Sequence, residues 1–457
     1  MLDNVSIERG KQPKSGRDMI RITQLVHGKG TVSEALKHRK KSPHQVPSRL
    51  LAFAETRRPV VFWNITNKCN LACTHCYINA RPELNTEEEL SLEEAKAFID
   101  DLAEMQVPLL LFTGGEPLVR KDFWELAAYT TAKGLKTALS TNGTLITKEV
   151  AARIKAHGIE YAGVSLDGAK EETHDAIRNQ RGCFRKAVQA LKNCAEIGLK
   201  AGIRITITRD NYQEIEDLLD FARVLKVPRF CVYWLVPSGR GKEIYEKQLK
   251  PEEVAHIFDL LYQRALDLDP EEMEILTVDA PQDGIYLLNK LREDNSPEYE
   301  NALKLLEYTG DSCSAGDRVA NVDPAGNVYP CQFAQLEEFK IGNIRERKFS
   351  ELWNDAENPV LAAFREKTKF LKGKCSSCSH KDLCGGGCRI RAYAEEGDIW
   401  AEDPLCPINP NPNPNHEITH KPLQGLRVSP SVACGGTGGA RDGAEPHNYH
   451  DRREETN

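Results

Sequence analysis

Short apolar runs alternate with longer amphipathic stretches through the central part of the chain. The runs that predict strands are rich in β-branched residues and cover 61–66, 109–113, 136–141, 161–166, 202–208 and 229–236. The stretches that predict helices cover 92–105, 122–133, 148–157, 184–197 and 212–225. This alternation is typical of parallel strands joined by crossover helices. We therefore predict an α/β fold in which six strands curl into a partial (β/α)6 barrel.

Polar residues and glycines follow most of the predicted strands. They are Asn67, Gly114-Gly115-Glu116, Asn142-Gly143, Asp167-Gly168 and Ser238-Gly239. Because the carboxyl ends of parallel strands meet at one edge of a sheet, these residues are expected to lie together. Folds of this kind bind their ligands at that edge.

The rest of the chain differs from this pattern. A basic arm over 1–58 precedes the barrel at 59–250; residues 1–60 contain 13 Lys and Arg against 5 Asp and Glu. A helical connector is predicted over 251–312, followed by a cysteine-rich domain over 313–407. Residues 408–457 are rich in Pro, Asn and Gly, which predicts a disordered tail.

Charge and composition narrow the function. The 457 residues carry a net charge of −7, which gives no reason to expect a nucleic acid partner. The N-terminus is polar, and no apolar run approaches the ~20 residues of a membrane span. A cytoplasmic protein is therefore expected, and clustered cysteines in a reducing compartment indicate metal binding rather than disulfides.

Three of the fourteen cysteines form a C-x3-C-x2-C motif directly after the first predicted strand: Cys69, Cys73 and Cys76. Three thiolates on one loop can bind three irons of a 4Fe–4S cluster and leave the fourth iron for an outside ligand. Zinc is the alternative, with His75 as a further candidate ligand within the loop.

This motif and the loops that follow the next strands resemble the radical SAM (S-adenosylmethionine) superfamily. The resemblance implies that SAM binds the open iron and that a 5′-deoxyadenosyl radical forms after reduction by a low-potential donor such as ferredoxin or flavodoxin. It also implies SAM contacts from residues of these loops. The implied residues are Gly114, Gly115, Glu116, Ser140, Asn142, Ser165, Asp167, Arg178 and Arg204.

A second set of cysteines lies downstream, at Cys313, Cys331, Cys375, Cys378, Cys384, Cys388 and Cys406. Seven cysteines exceed one zinc site, the alternative for such pairs, and their order resembles a SPASM domain with one or two auxiliary 4Fe–4S clusters. The resemblance implies that Cys375, Cys378, Cys384 and Cys406 hold an outer cluster. It implies an inner cluster on Cys313, Cys331 and Cys388, with an open iron or a further ligand such as Asp317 or Asp323.

A finer resemblance, over about 20–410, is to the haem-pathway branch of these enzymes. It is carried by 22–25, 33–37, 46–51, 58–64, 75–77 and 233–241. It implies a tetrapyrrole substrate and the removal of acetate side chains from 12,18-didecarboxysiroheme, giving iron-coproporphyrin III. The alternatives are an enzyme that removes propionates in dioxo-haem synthesis and a peptide or protein maturase.

The carboxylates of such a substrate require positive charge around the pocket. Candidate cations are Arg240, Lys242, Lys37, Arg39, Lys40 and Lys41, and candidates to approach the substrate iron are His27, His38 and His44. The sequence identifies no general acid or base, so the catalytic residues stay unknown at this stage.

Overall fold

One mixed sheet organises the computed structural model, which describes residues 19–29, 58–309 and 313–408. Its strands are β1 (Met19–Arg21), β2 (Val60–Asn64), β3 (Leu110–Thr113), β4 (Thr137–Thr141), β5 (Ile159–Ser165), β6 (Lys200–Ile207), β7 (Arg229–Trp234), β8 (Glu274–Val278), β9 (Val319–Val322), β10 (Asn327–Tyr329) and β11 (Gly342–Asn343). The order across the sheet is β1-β8-β7-β6-β5-β4-β3-β2-β9-β10-β11. Strands β2 to β8 are parallel to their neighbours.

Helices cover the parallel strands, as βαβ crossovers require. They are α1 (Ile22–Val26), α2 (Leu92–Met105), α3 (Phe123–Ala132), α4 (Lys148–Ala156), α5 (Glu171–Arg178), α6 (Cys183–Glu196), α7 (Ile215–Val224), α8 (Pro251–Asp267), α9 (Gln282–Glu293), α10 (Tyr299–Thr309), α11 (Phe349–Asn354), α12 (Pro359–Arg365), α13 (Gly373–Ser377), α14 (Lys381–Cys384) and α15 (Arg389–Glu396). Short 3-10 turns lie at Pro117–Val119, Tyr212–Glu214, Gly239–Lys247, Glu337–Phe339 and Lys367–Lys369.

The predicted strands and helices form where their patterns placed them, and the partial (β/α)6 barrel is confirmed. Helix α2 shows why a local signal is enough. Ser91 caps it by accepting from the Glu94 backbone N–H, and the Glu94 carboxylate accepts from the Ser91 N–H in return. Its apolar face packs inward, where Phe98 makes an edge contact with Trp63 of β2 at 5.2 Å.

Several elements were not predicted, and β8, β1 and α5 are three of them. The connector predicted as helical contains helices α8, α9 and α10, but strand β8 lies between the first two. Strand β1, within the predicted basic arm, pairs antiparallel with β8, and α1 packs against α8. Helix α5 lies in a polar segment between two predicted elements. All three are short, and packing against a preformed sheet stabilises them more than their own pattern does.

The cysteine-rich region continues the barrel sheet, because β9 pairs in parallel with β2. Asn321 strengthens this junction by donating from its side-chain amide to the Phe62 carbonyl oxygen, at 2.8 Å, and to Asn64 Oδ1, at 2.6 Å. The division into separate domains stays a prediction, and the predicted tail lies beyond the described residues, apart from its first position.

Within residues 19–29, 58–309 and 313–408, no helix combines the length and apolar composition needed to cross a membrane.

Candidate active site and cluster cavities

A cleft with a cavity volume of about 150 Å³ opens at the carboxyl edge of the parallel strands, the edge at which folds of this kind bind ligands. Cys69, Cys73 and Cys76 line it on one side. Most of the predicted SAM-contact residues also line it: Gly114, Gly115, Ser140, Asn142, Ser165, Arg178 and Arg204. The structure therefore brings the sequence motifs together as the topology predicted.

Burial keeps the thiols of Cys69 and Cys73 neutral in the absence of a cation, because it raises the pKa of each. Cys69 and Cys73 are buried, and burial raises the pKa of Cys69 to about 12. A bound metal reverses this, because coordination deprotonates a thiol outright. Three sulfurs converging on one cleft match the donor set of a cluster with one open iron.

The loop after β3 approaches the cysteine loop too closely for any residue but glycine. A Cβ at Gly115 would lie 2.1 Å from the Lys68 carbonyl oxygen, and one at Gly114 would lie 2.5 Å from that of Thr66. The Gly115 N–H donates to the same Thr66 oxygen at 2.7 Å. These glycines hold the two loops in register.

Arg240 holds the cysteine loop from the opposite side. Its guanidinium donates to the carbonyl oxygens of Cys73, at 2.9 Å, and Ala80, at 2.8 Å. Its backbone N–H donates to the Cys76 carbonyl at 2.9 Å. Arg240 therefore orders the loop rather than providing a free cation at the rim, and Lys242 is exposed.

Glu116 is fully buried behind the cleft and does not line it. Its carboxylate accepts from the Thr141 hydroxyl and the Asn142 N–H, each at 2.9 Å, and from the Leu118 N–H at 3.3 Å. Burial raises its pKa to about 7. Glu116 thus joins the loops after β3 and β4, and its expected contact with SAM stays a prediction.

Asp167 is also fully buried and acts through Arg178. The two form an ion pair at 2.5 Å, and Arg178 donates to Cys73 Sγ at 3.7 Å. Burial alone would raise the pKa of Asp167, but the Arg178 charge holds it below its usual value. His75 Nε2 lies 3.7 Å from the same carboxylate, and burial lowers its pKa to about 4, so this imidazole is neutral.

Arg204 projects from β6 into the cleft. It donates to Ser140 Oγ and, at 2.6 Å, to the Tyr233 hydroxyl, and its guanidinium lies 4.6 Å from the centre of the Tyr233 ring. Arg178 is paired with a carboxylate and Arg240 with carbonyls. Among the described arginines that line the cleft, Arg204 is therefore the one best placed to bind a carboxylate.

The cysteine-rich region contributes part of the wall of the cleft. Gln332 and Phe333, which directly follow Cys331, line it, and Phe333 makes an edge contact with Tyr77 at 5.7 Å. Tyr77, Tyr233, Trp234 and Phe333 together give the cleft aromatic walls. Phe333 was not predicted from the sequence as a residue of the site. The only local signal for it was Cys331, two residues earlier.

The outer cysteines surround one cavity. Cys375, Cys378, Cys384 and Cys406 all line it. Burial raises the pKa of Cys406 to about 12, so this thiol also needs a cation to ionise. Four converging cysteines fit a fully ligated 4Fe–4S cluster.

The inner cysteines surround a second cavity. It is lined by Cys313, Cys331 and Cys388. Of the two aspartates proposed from the sequence, neither lines it. Asp323 instead accepts from the backbone and side-chain amides of Asn327, both at 2.8 Å, in the turn before β10.

A buried ion pair lies between these cavities. Arg391 donates to both carboxylate oxygens of Asp403, at 3.0 and 2.8 Å. Asp403 Oδ2 also accepts from the Cys388 N–H at 2.7 Å, while its carbonyl accepts from the Cys406 N–H at 3.1 Å. One residue thus positions a ligand of each predicted auxiliary cluster.

The remaining candidates either make structural contacts or lie outside the described residues. His27 Nε2 lies 2.9 Å from the Ala265 carbonyl on α8. His38, His44, Lys37, Arg39, Lys40 and Lys41 lie outside the described residues. Cys183 donates to Asp175 at 3.1 Å beside His174, whose Nδ1 accepts from the Asp167 N–H.

Comparison with known proteins defines the class. Residues 63–222 match the family model of the radical SAM superfamily, and residues 313–379 match SPASM, an iron–sulfur cluster-binding domain. The crystal structure of Streptococcus suis SuiB bound to S-adenosylmethionine is similar in fold, with a TM-score of 0.60 and 20% identity over 77% of this chain and 78% of that one. The chain is therefore a radical SAM enzyme with an iron–sulfur SPASM domain, and its cofactors are SAM and 4Fe–4S clusters.

Sequence relatives define the branch. The Fe-coproporphyrin III synthase of Methanosarcina barkeri is 41% identical over 85% of this chain and 97% of its own length. The pre-heme d1 synthase of Dinoroseobacter shibae is 36% identical over 79% of this chain and 89% of its own. The chain belongs to this family of radical SAM enzymes of haem biosynthesis, which confirms the resemblance seen in the sequence.

Proposed function

We propose that this enzyme removes two acetate side chains from 12,18-didecarboxysiroheme to give iron-coproporphyrin III. The observation that carries the proposal is the 41% identity to Fe-coproporphyrin III synthase over nearly the whole length of that relative. The reaction takes place in the cleft between the barrel and the cysteine-rich region. A cytoplasmic location and a low-potential donor, ferredoxin or flavodoxin, belong to the same proposal.

The residues of the cleft divide into two roles. Cys69, Cys73 and Cys76 hold the cluster to which SAM binds, while the glycines of the β3 loop, Ser140, Asn142 and Ser165 face SAM. Glu116 and Asp167 act from behind the cleft: Glu116 fixes the loops, and Asp167 pairs with Arg178, which contacts the Cys73 sulfur. When bound and reduced, the cluster and SAM supply a 5′-deoxyadenosyl radical, which starts side-chain loss.

A tetrapyrrole fits the chemistry of the cleft walls. Its flat apolar ring suits contacts with the aromatic side chains of Tyr77, Tyr233, Trp234 and Phe333. Its peripheral carboxylates need a buried cation, and Arg204 presents a guanidinium with donors arranged for carboxylate binding. Phe333 lies two residues after Cys331, a predicted ligand of the inner cluster. The inner cluster is therefore expected next to the substrate.

The test is an anaerobic assay of the reconstituted protein with dithionite, SAM and 12,18-didecarboxysiroheme. We expect stepwise loss of two acetate units, coupled to 5′-deoxyadenosine, when both are followed by mass spectrometry. If 5′-deoxyadenosine forms and the tetrapyrrole keeps its mass, the acetate proposal is wrong. Propionate-bearing precursors of dioxo-haem and peptide substrates are then the next candidates.

The role of Arg204 has its own test. Arg204→Met should lower kcat/KM by about 10- to 100-fold, the loss expected for a charge-assisted hydrogen bond of ~1.5–3 kcal/mol. Arg229→Met is the matched control, because Arg229 pairs with Glu274 away from the cleft. Equal kinetics of the two variants would contradict the assignment of Arg204.

A further inference from the structure

The inner auxiliary cavity differs from the outer one in its protein ligands. The outer cavity has four cysteines, whereas the inner has Cys313, Cys331 and Cys388. Three thiolates leave one iron of a cubane cluster without a protein ligand. A fourth side chain that lines the same cavity with a suitable donor atom therefore decides whether the cluster is open or closed.

Asp279 is that side chain. Among the described residues that line the inner cavity, it is the only carboxylate. It directly follows β8, the strand that the sequence pattern did not reveal, and so belongs to the barrel rather than to the cysteine-rich region. This explains why ligand candidates sought within 313–407 did not include it.

The backbone of Asp279 is tied to that of a cluster ligand. Arg391 donates to the Asp279 carbonyl at 2.8 Å, and the same guanidinium pairs with Asp403. Asp403 in turn accepts from the Cys388 N–H. Asp279 also has a positive φ of 67°, which non-glycine residues adopt rarely and aspartate more readily than most. Its position beside Cys388 is thus imposed by the surrounding structure.

The donor set fits a metal centre. Cys388 is buried, and Cys313 and Cys331 line the same cavity, so three thiols surround one space. Carboxylate oxygen binds iron in many protein sites. Gln332, which shares the cavity, offers only a neutral amide and is the weaker donor.

We propose that the Asp279 carboxylate is the fourth protein ligand of the inner auxiliary cluster. One carboxylate oxygen binds the iron that the three cysteines leave open, so no external ligand is required in the resting enzyme. This proposal rests on the assignment of an inner cluster, and it is independent of which tetrapyrrole is the substrate. It makes the barrel itself part of the auxiliary-cluster site.

The test uses full-length protein in which Cys69, Cys73 and Cys76 are replaced by Ala, so that spectra report only on the auxiliary clusters. Into this background we introduce Asp279→Ala, Asp279→Cys and the control Gln332→Ala. Each protein is reconstituted anaerobically with iron-57 and sulfide. Iron content, Mössbauer spectra and electron paramagnetic resonance after mild ferricyanide oxidation are then compared.

We expect about eight irons per chain in the background protein, as two 4Fe–4S clusters require. Its Mössbauer spectrum should contain one iron site with oxygen ligation, which Asp279→Cys converts to the all-thiolate form without loss of iron. Asp279→Ala should lose that iron on oxidation and give a 3Fe–4S signal, or lose the inner cluster entirely. Gln332→Ala should match the background.

Two outcomes would overturn the proposal, and they differ from each other. If the background protein and Asp279→Ala have the same spectra and both change when cyanide is added, the inner iron is open and Asp279 is not a ligand. If the background contains only about four irons, the inner cluster itself is absent. Neither result depends on turnover, so the proposed reaction is judged separately.

Discussion

The radical-cluster loop and the inner auxiliary cavity present the same chemistry, three cysteines around one site, but they are built in opposite ways. Cys69, Cys73 and Cys76 lie within one short loop, which backbone contacts and Arg240 hold in shape. The inner cavity collects Cys313, Cys331 and Cys388 from separate segments and adds Asp279 from the barrel. A local motif can therefore be read from spacing, whereas a site assembled by tertiary contacts is visible only in part.

The two regions also differ in what stabilises them. At the cysteine loop, the backbone of Gly114 and Gly115 packs directly against backbone carbonyl oxygens of that loop. The auxiliary region relies on the fully buried Arg391–Asp403 pair, whose loss of hydration must be offset by good geometry and further hydrogen bonds. A buried ion pair, Asp167–Arg178, also lies beside the cysteine loop, so the difference lies in the contacts of glycine with backbone carbonyls rather than in buried charge.

The largest expected effect is the loss of a radical-cluster ligand. Cys73→Ala should reduce 5′-deoxyadenosine formation to the background rate, because SAM then has no cluster to accept an electron from. The measurement is product formation with dithionite under anaerobic conditions. Cys194→Ala is the control, since Cys194 is buried in α6 away from the cleft. Significant 5′-deoxyadenosine from Cys73→Ala would contradict the assignment of the loop.

The outer cavity should behave differently. Cys375→Ala should remove the outer cluster but leave part of the SAM cleavage, since the radical cluster is built independently of it. Turnover of the tetrapyrrole should stop if the auxiliary clusters serve the later half of the reaction. The two products are measured in one assay. Full turnover by protein shown to lack the outer cluster would refute this division of labour.

The buried Arg391–Asp403 pair is expected to contribute to the free energy of unfolding. Asp403→Asn leaves the Arg391 charge unpaired, and should lower the free energy of unfolding by about 3–5 kcal/mol in denaturant titrations. In the wild type, burial alone would raise the pKa of Asp403, but Arg391 holds it below its usual value. Glu196→Gln, which breaks the exposed pair with Lys148, is the control and should cost less than about 1 kcal/mol. Similar losses in both variants would be inconsistent with a role for the buried pair.

The last effect develops gradually with pH and concerns Asp283 on α9, which lies between the cleft and the auxiliary region. Its carboxylate accepts from Trp234 Nε1 at 2.8 Å, and burial raises its pKa to about 7. Between pH ~4 and ~7 the folded protein therefore keeps a proton that the unfolded chain releases. Relative to Asp283→Asn, the wild type should lose stability as pH rises through this window, by up to about 1.4 kcal/mol per unit.

Unfolding of the two reconstituted proteins is compared at several pH values under anaerobic conditions, so that contributions from the clusters cancel in the difference. Asp220→Asn, at an exposed pair with Arg264, is the control and should follow the wild type. A wild-type curve parallel to that of Asp283→Asn would show that Asp283 does not bind the proton.

Much of the barrel could be predicted because its signals are local. The run 109–113 is apolar up to Thr113 and forms β3 from Leu110 onward, while Ser91 and Glu94 mark the start of α2 within four residues. The C-x3-C-x2-C spacing likewise places three sulfurs on one loop. Each signal depends on neighbours in sequence, where steric and hydrogen-bonding rules act directly.

The roles of individual polar residues needed the tertiary structure. Glu116 and Asp167 follow strands as predicted, yet both are turned into the protein and act through Thr141, Asn142 and Arg178. Arg240 was expected at the rim and instead binds carbonyl oxygens of the cysteine loop. Sequence position sets which edge of the sheet a residue reaches, but packing decides which way its side chain points.

By itself the sequence determined the α/β class, the order of six strands, the cysteine loop and the family. Only the tertiary structure decided that β8 completes the sheet and that Asp279 stands beside Cys313, Cys331 and Cys388. The physical reason is that short elements such as β8 are stabilised by partners far away in sequence. Their position, and the side chains they bring to a site, follow from the packed fold rather than from any local pattern.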